Sequence, residues 1–282
     1  MREMRDTLRA TFGRVLGLQN RRREFRRGAL DWIPDFESKI LGNKRGISVY
    51  LPPGYAEHPE MRYPVLYMQD GQNLFEPERA FAGQHWRLDS AAEGVIGQRT
   101  AEPMIIVGID HAGTGRVDEY TPTRDTMRRA GGKANDYGRM LIEELKPVID
   151  SRYRTRPEGE NTALGGSSLG GLVSLYLGLT RPDVFSRLAV MSPSVWWDKK
   201  AILAVLDRFN APRRPRIWLD VGGREGRDAL SDVRLLRDRL MAKGWGSGDF
   251  AYHEDRRGEH SEQAWARRVG GVLEFLFPPP AP

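Results

Sequence analysis

The sequence predicts an α/β protein with a mostly parallel sheet, an antiparallel edge at its N-terminal end and helices on both faces. From about Leu30 onward, short apolar segments alternate with longer amphipathic ones, as in a sheet whose parallel strands are joined by helices. Two of the short segments, Pro64–Gln69 and Pro103–Ile109, are almost continuously apolar, as strands covered on both faces require. A turn between the first two strand segments predicts an antiparallel hairpin.

The elements follow in chain order. The hairpin pairs Phe36–Leu41 with Ile47–Leu51 around a Gly42-Asn43 turn. After the two buried strands, the further predicted strands are Thr162–Gly165, Arg187–Met191, Ile217–Val221 and Phe250–His253. The helices, predicted mainly from apolar residues at three- and four-residue steps, are Leu88–Ile96, Tyr137–Tyr153, Leu169–Leu179, Ala229–Lys243 and Glu262–Phe277.

The chain of 282 residues is predicted to form one domain over residues 30–277, after a basic arm (residues 1–29) and before a proline-rich tail (residues 278–282). The first 27 residues contain nine arginines and three acidic residues, and 9 − 3 = +6 is the net charge of the whole chain. The body is therefore formally neutral, and its composition gives no support to a nucleic-acid partner.

The arm has apolar residues at helical spacing, beginning Met1, Met4 and Leu8, and is predicted to be an amphipathic helix. We expect it to pack on the body or to join a second copy of the chain, and adsorption to an anionic membrane surface is the alternative. No continuous apolar stretch follows its basic start, so a secretory signal is not recognised and a cytoplasmic protein is expected.

Two features missing from the sequence exclude classes of site and of segment. Cysteine does not occur, which excludes disulfides, thiolate metal sites and cysteine nucleophiles. The longest apolar runs, such as Met104–Val107, are far shorter than a membrane-spanning helix.

A nucleophile is predicted at Ser168. Residues 166–170 read Gly-Ser-Ser-Leu-Gly, which matches G-x-S-x-G, and an apolar strand segment leads into the motif while an apolar helical segment leaves it. In such a strand-to-helix turn the flanking residues must be small so that the chain can bend and lift the serine Oγ above the sheet. The spacing selects Ser168 and leaves Ser167 as a turn residue.

A serine hydroxyl needs a general base, and in this strand–turn–helix setting the order along the chain is serine, acid, histidine. Only two of the five histidines, His253 and His260, follow Ser168. His253 lies within a predicted strand, whereas His260 lies in a polar loop between the last strand and the last helix. We therefore predict His260 as the base.

The acid is expected in the loop that follows the strand Ile217–Val221. Glu225 and Asp228 both qualify by type and position, and Glu225 is favoured with Asp228 as the alternative. Asp220 lies inside the strand and is predicted to support the turn. The backbone N–H groups of Leu169 and Gln72 are the predicted donors to an oxyanion, and Asp70 is expected to hold the loop that carries Gln72.

Several blocks of sequence carry a family resemblance. They are Arg45–Tyr55 (RGISVYLPPGY), Leu66–Phe75 (LYMQDGQNLF), Val107–Asp110 (VGID), Glu144–Tyr153 (ELKPVIDSRY), Gly165–Leu172 (GGSSLGGL) and Ser192–Trp197 (SPSVWW). Together they resemble the esterase D and enterochelin-esterase group of α/β-hydrolases, which includes feruloyl and acetylxylan esterase catalytic domains. The acid loop and the histidine loop depart from the group's usual pattern, with Arg224 before Glu225 and an arginine pair before Gly258.

The resemblance implies a serine carboxylesterase that needs no metal or organic cofactor. Acylated sugars, feruloyl or acetyl esters and siderophore trilactones are the substrate classes it suggests. An acyltransferase or thioesterase of the same fold, or a non-catalytic binding protein, is the alternative. The predicted wall of the substrate site consists of Gln72, Asn73, Trp86, His111, Arg116, Tyr120, Trp196 and Trp197.

Overall fold

A computed structural model describes residues 27–280 of the chain. An eight-stranded sheet runs through it in the order β1-β2-β4-β3-β7-β8-β9-β10. Its strands are β1 (Ala29–Ser38), β2 (Asn43–Leu51), β3 (Val65–Gln69), β4 (Ile105–Ile109), β7 (Thr162–Ser167), β8 (Arg187–Met191), β9 (Arg216–Gly222) and β10 (Phe250–Asp255). Two short strands, β5 (Arg124–Asp125) and β6 (Ala130–Gly131), form a separate hairpin.

The directions of the strands agree with the predicted fold class. β1 pairs with β2 and β2 pairs with β4 in antiparallel ladders. The ladders that join β4, β3, β7, β8, β9 and β10 are all parallel. The prediction of a mostly parallel sheet with an antiparallel N-terminal edge is therefore confirmed.

The first strand differs most from the prediction. It begins at Ala29 rather than Phe36 and ends at Ser38, and the turn occupies residues 39–42. Pro34 lies inside the strand, where the pairing with β2 shifts register between Ile33 and Phe36. An edge strand tolerates proline at such an irregularity because no further strand needs its missing N–H group.

Helices cover both faces of the sheet. They are α1 (Leu88–Gln98), α2 (Arg116–Glu119), α3 (Ala134–Arg139), α4 (Lys146–Arg152), α5 (Leu169–Thr180), α6 (Trp197–Arg208), α7 (Arg227–Ala242) and α8 (Glu262–Leu276). A π-helical segment, Met140–Leu145, joins α3 to α4 where the sequence predicts one continuous helix. The buried side chains of α3 to α7 belong to one core cluster, and those of α1 and α8 belong to the cluster on the opposite face.

The sequence reading missed α6. Its first turn is irregular, since Asp198, Lys199 and Lys200 have left-handed backbone angles. The helix then buries only Ile202 and Leu206 along its remaining length, so its apolar stripe is short.

The predicted arm lies outside the described residues except for its last three positions. The prediction that it joins two copies of the chain therefore also concerns residues outside the described part. Within residues 27–280, no helix is both long and apolar enough to cross a membrane. The parallel strands end at one common edge, and the loops that leave β3, β7, β9 and β10 meet there.

Candidate active site

Ser168 occupies the turn between β7 and α5. Its backbone angles are φ 57° and ψ −122°, a conformation that non-glycine residues rarely adopt. The flanking glycines are required by space, because a Cβ atom on either Gly166 or Gly170 would lie 2.9 Å from the Cβ of Gln69. The turn thus brings Ser168 to the carboxyl edge of the sheet, at the first turn of a helix.

The imidazole of His260 bridges the serine and a carboxylate. Its Nε2 atom lies 3.0 Å from the Oγ of Ser168, and its Nδ1 atom lies 2.8 Å from Oε2 of Glu225. The ring also packs edge-on against Trp265, with 4.9 Å between the ring centroids. Ser261, the next residue, caps α8 by accepting a hydrogen bond from the N–H of Ala264.

The carboxylate of Glu225 is only 1% exposed. Its Oε1 atom accepts hydrogen bonds from the Ser192 hydroxyl at 2.5 Å and from the Gly222 N–H at 2.7 Å. Burial raises the pKa of this carboxyl, but the donors from His260, Ser192 and Gly222 outweigh it and hold the pKa below its usual value. Glu225 is therefore anionic at neutral pH.

The alternative acid is placed elsewhere. Asp228 lies in the first turn of α7, where it is exposed to solvent. Of the two carboxylates that the sequence left open, the structure brings Glu225 to the imidazole.

A buried polar network lies beneath this carboxylate. Nη2 of Arg268 is 2.8 Å from the Ser192 hydroxyl and 3.0 Å from Asp220, and it lies 3.7 Å from Glu225. The Trp265 indole N–H donates to the same hydroxyl at 3.0 Å. Asp220 also accepts a hydrogen bond from the Ser192 N–H, in the turn after β8 and not in the loop after β9 that it was predicted to support.

A second hydroxyl lies beside the nucleophile. The Oγ of Ser194 is 3.2 Å from the Oγ of Ser168, and the Ser194 N–H donates to the Ser168 carbonyl at 3.0 Å. Ser192, Ser194 and Arg268 were not predicted as site residues. The SPSVWW block that contains both serines was the only sequence signal for them.

The two predicted oxyanion donors lie at this edge. The N–H of Leu169 is the first of α5, and the first amides of a helix have no acceptor within it. Gln72 is the middle residue of a 3₁₀ turn, Gly71–Asn73. The turn passes so close to β4 that a Cβ on Gly71 would lie 2.4 Å from the backbone of Gly108.

Asp70 holds that turn. It has a left-handed backbone, with φ 56°, and its N–H donates to the hydroxyl of Tyr120. Its carboxylate accepts two hydrogen bonds from the guanidinium of Arg116, both of 2.7 Å. The expectation that Asp70 stabilises the loop agrees with these contacts.

A cavity of about 460 Å³ opens above Ser168 and His260. Its wall is formed by Asp70, Gln72, Asn73, Phe81, Ala82, Gln84, His111, Arg116, Ser167, Ser261, Glu262 and Trp265. Four residues of the predicted wall are therefore in place: Gln72, Asn73, His111 and Arg116. Phe81, Gln84, Glu262 and Trp265 were not predicted, because neither a motif nor helical spacing marks them.

The four aromatic residues of the predicted wall do not line the cavity. Trp86 is buried, and its indole N–H donates to the carboxylate of Glu262, which itself lines the cavity. Tyr120 is fully buried under Arg116. Trp197 is buried and donates to the carbonyl of Thr123, whereas Trp196 is 44% exposed outside the cavity, beside the guanidinium of Arg128.

Among residues 27–280, no three histidine, aspartate or glutamate side chains are grouped so that they could hold a metal ion. The groups that meet at this edge of the sheet are a serine, an imidazole, a buried carboxylate and backbone amides.

Comparison with known sequences agrees with this geometry. The model of the putative esterase family matches residues 38–275. The uncharacterized protein YjcH of Bacillus subtilis is 31% identical over 250 residues, which is 86% of this chain and 95% of that protein. The ferri-bacillibactin esterase BesA of Bacillus subtilis is 29% identical over 195 residues, or 63% of this chain and 64% of that protein.

A bifunctional relative matches over a smaller part of its own length. The endo-1,4-beta-xylanase/feruloyl esterase of Xylanibacter ruminicola is 28% identical over 252 residues, which is 86% of this chain but 30% of that protein. Among solved structures, the BES protein from Bacillus cereus superposes with a TM-score of 0.73 at 24% identity, covering 88% of this chain and 94% of its own. The chain therefore belongs to the putative esterase family, in its enterochelin-esterase-like group, and is a carboxylic ester hydrolase with the α/β-hydrolase fold.

Proposed function

We propose that the protein hydrolyses small carboxylic esters by two-step acyl transfer through Ser168, His260 and Glu225. The observation that supports this is the unbroken series of hydrogen-bond distances from the serine hydroxyl through the imidazole to a buried carboxylate, 3.0 Å and 2.8 Å. A non-catalytic binding protein has no need of this alignment.

In the first step Ser168 attacks the ester carbonyl while His260 takes the hydroxyl proton. Glu225 holds the imidazole in the tautomer whose Nε2 accepts that proton, and its negative charge stabilises the imidazolium that forms. The imidazolium then protonates the leaving alcohol. In the second step water attacks the acyl-enzyme. His260 first takes a proton from the water and then returns it to the Oγ of Ser168 as the acid product leaves.

The developing oxyanion is held by the N–H groups of Leu169 and Gln72. Such donors are fixed before the reaction, so they stabilise the charge without reorganisation at the moment of attack. The Ser194 hydroxyl, 3.2 Å from the nucleophile, can donate to the Oγ atom while that atom donates to His260. This contact helps to fix the position of the Ser168 hydroxyl.

The proposed substrate is a small ester. The candidate substrate classes are acylated sugars, feruloyl or acetyl esters and siderophore trilactones. Two of the relatives named above are a ferri-bacillibactin esterase and an endo-1,4-beta-xylanase/feruloyl esterase. The cavity of about 460 Å³ has an aromatic edge made by Phe81 and Trp265, which suits a phenolic or sugar ring.

The test is turnover on a panel of p-nitrophenyl acetate, methyl ferulate, an acetylated xylose and a catechol trilactone. We expect hydrolysis of at least one ester with kcat/KM above about 10³ M⁻¹s⁻¹, together with labelling by a fluorophosphonate probe. Adding a second alcohol or a thiol to the assay separates hydrolysis from acyl transfer, because a transferase would form the new ester or thioester in preference to the acid.

From the sequence we further propose that the arm joins two copies of the chain and that the protein acts in the cytoplasm. Deleting residues 1–27 should then convert a dimer into a monomer in sedimentation. If the deletion instead abolishes binding to anionic vesicles, the arm is a membrane contact.

A further inference from the structure

We propose that Glu262 sets the charge preference of the cavity, so that the enzyme discriminates against esters whose leaving group carries a negative charge. This rests on the proposed ester hydrolysis and specifies its substrate class. Glu262 is the first residue of α8 and lines the cavity together with Ser168 and His260.

The charge of Glu262 is not cancelled by a cation. One carboxylate oxygen accepts a hydrogen bond from the side-chain amide of Asn73 at 3.0 Å, and the other accepts from the indole N–H of Trp86. Both donors are neutral. Within the part of the chain that the structure describes, Glu262 takes part in no ion pair.

The other ionisable groups of the wall contribute little net charge. Asp70 and Arg116 neutralise each other through their two hydrogen bonds. Burial, with a contribution from Arg116, lowers the pKa of His111 in spite of the nearby Asp70, so this imidazole is neutral at neutral pH. The carboxylate of Glu262 is what remains.

This charge is assigned to the leaving-group side because Glu262 lies near enough to His260 for the two to interact electrostatically. His260 must protonate the departing alkoxide oxygen, so the leaving group lies against the imidazole. Glu262 follows His260 by two residues and faces the same cavity. A carboxylate on the leaving group would therefore meet a like charge, and a hydroxyl or a cation would meet an acceptor.

The discrimination should depend on pH. Burial raises the pKa of Glu262 to about 7, and the charge of Asp70 adds to this effect, against the lowering effects of Trp86, Arg116 and His260. A carboxyl with a raised pKa is neutral below that value and charged above it. Discrimination is therefore weak on the acidic side of pH 7 and strong on the alkaline side.

The experiment compares 3-acetoxybenzoate with 3-acetoxybenzamide, two acetate esters of the same shape whose leaving groups differ in charge. Both transfer the same acetyl group to Ser168, so the ratio of their kcat/KM values compares the two leaving groups alone. The ratio is measured from about pH 5.5 to 8.5 for the unaltered protein and for Glu262→Gln. Glu259→Gln is the matched control, because that carboxylate is exposed outside the cavity and its nearest cation is Arg224, at 3.9 Å.

We expect the unaltered protein to favour the amide, by a factor that rises about tenfold as pH passes through 7. The factor should become small and independent of pH in Glu262→Gln and stay unchanged in Glu259→Gln. A ratio that is flat with pH in the unaltered protein overturns the inference without any variant, as does a ratio that Glu262→Gln leaves in place. Hydrolysis of neither ester, by a protein that hydrolyses a member of the panel above, would overturn this inference alone. Inactivity on the whole panel as well would overturn the proposed function and this inference with it.

Discussion

The carboxylate of Glu225 lies 2.8 Å from Nδ1 of His260 and is almost completely buried, while the imidazole itself is 45% exposed. Only one face of the pair is therefore open to substrate. In Glu225→Gln the side-chain amide can turn its N–H toward Nδ1, which forces the proton onto Nε2 and removes the acceptor for the Ser168 hydroxyl. We expect kcat to fall by about 10²- to 10⁴-fold with little change in KM, measured on p-nitrophenyl acetate.

Asp228→Asn is the matched control for this substitution. It removes the same charge from a residue three positions along the chain, in the exposed first turn of α7. It should leave kcat within about twofold. Equal losses in the two variants would remove Glu225 from its proposed role.

Replacement of the nucleophile gives the most direct check on the site. Ser168→Ala should lower kcat/KM by about 10³-fold or more and abolish labelling by a fluorophosphonate probe. The left-handed φ of 57° is present with either residue, so the melting temperature should change little. Turnover at the level of the unaltered protein would show that another group attacks the ester.

The hydroxyl of Ser192 accepts a hydrogen bond from the buried guanidinium of Arg268 and donates one to the carboxylate of Glu225. Ser192→Ala removes the 2.5 Å donor to Glu225 and the acceptor shared by Arg268 and Trp265. We expect about a tenfold loss of kcat and about 1–3 kcal/mol of destabilisation, because buried donors are left without a partner. Urea unfolding measures the second effect. The exposed hydroxyl of Ser231 donates to the carbonyl of Asp228, so Ser231→Ala should change the free energy of unfolding by no more than about 0.5 kcal/mol.

The close contact between the Gly71–Asn73 turn and β4 gives a fourth prediction. In Gly71→Ala the new methyl group would lie 2.4 Å from the backbone of Gly108, so the turn must move away from β4 and carry the N–H of Gln72 with it. We expect kcat to fall by about 10²-fold, as when one oxyanion donor is lost. The melting temperature should fall as well.

Gly94→Ala is the contrasting substitution. Gly94 lies inside α1, and nothing lies within 4 Å of its added Cβ. Alanine there should stabilise the fold by about 0.5–1 kcal/mol and leave kcat unchanged. If both alanine variants behaved alike, close packing at Gly71 would not explain the loss.

The sequence predicted best what local sterics and chain order determine. The turn at Ser168 follows from glycines that must be small, and the order serine, acid, histidine led to His260 and narrowed the acid to Glu225 or Asp228. All eight predicted strands are present in the sheet, both those with continuous apolar runs, such as β3 and β4, and the outer strand β10. Proline in an edge strand made the start of β1 unpredictable, since a proline is normally read as ending a strand.

The wall of the cavity could not be predicted in the same way. Trp86, Tyr120 and Trp197 lie in loops or at helix ends near the carboxyl edge of the sheet. Whether a large aromatic side chain faces a cavity or fills the space behind it depends on packing between distant segments. The same limit applies to Arg268, which lies on the last helix yet reaches Asp220 in β9. Glu262 looked like an ordinary first residue of a helix.

The strand that leads to the base is the outermost one. Among the described strands, β10 pairs with β9 alone. Its last residue and the loop after it are held to the loop after β9 by backbone hydrogen bonds, from the Gly223 N–H to the Asp255 carbonyl at 2.8 Å and from the Arg224 N–H to the Gly258 carbonyl at 2.9 Å. Fraying of this margin costs less free energy than unfolding the whole molecule. On warming, the enzyme should therefore lose its activity several degrees below its melting temperature, and cooling should restore that activity.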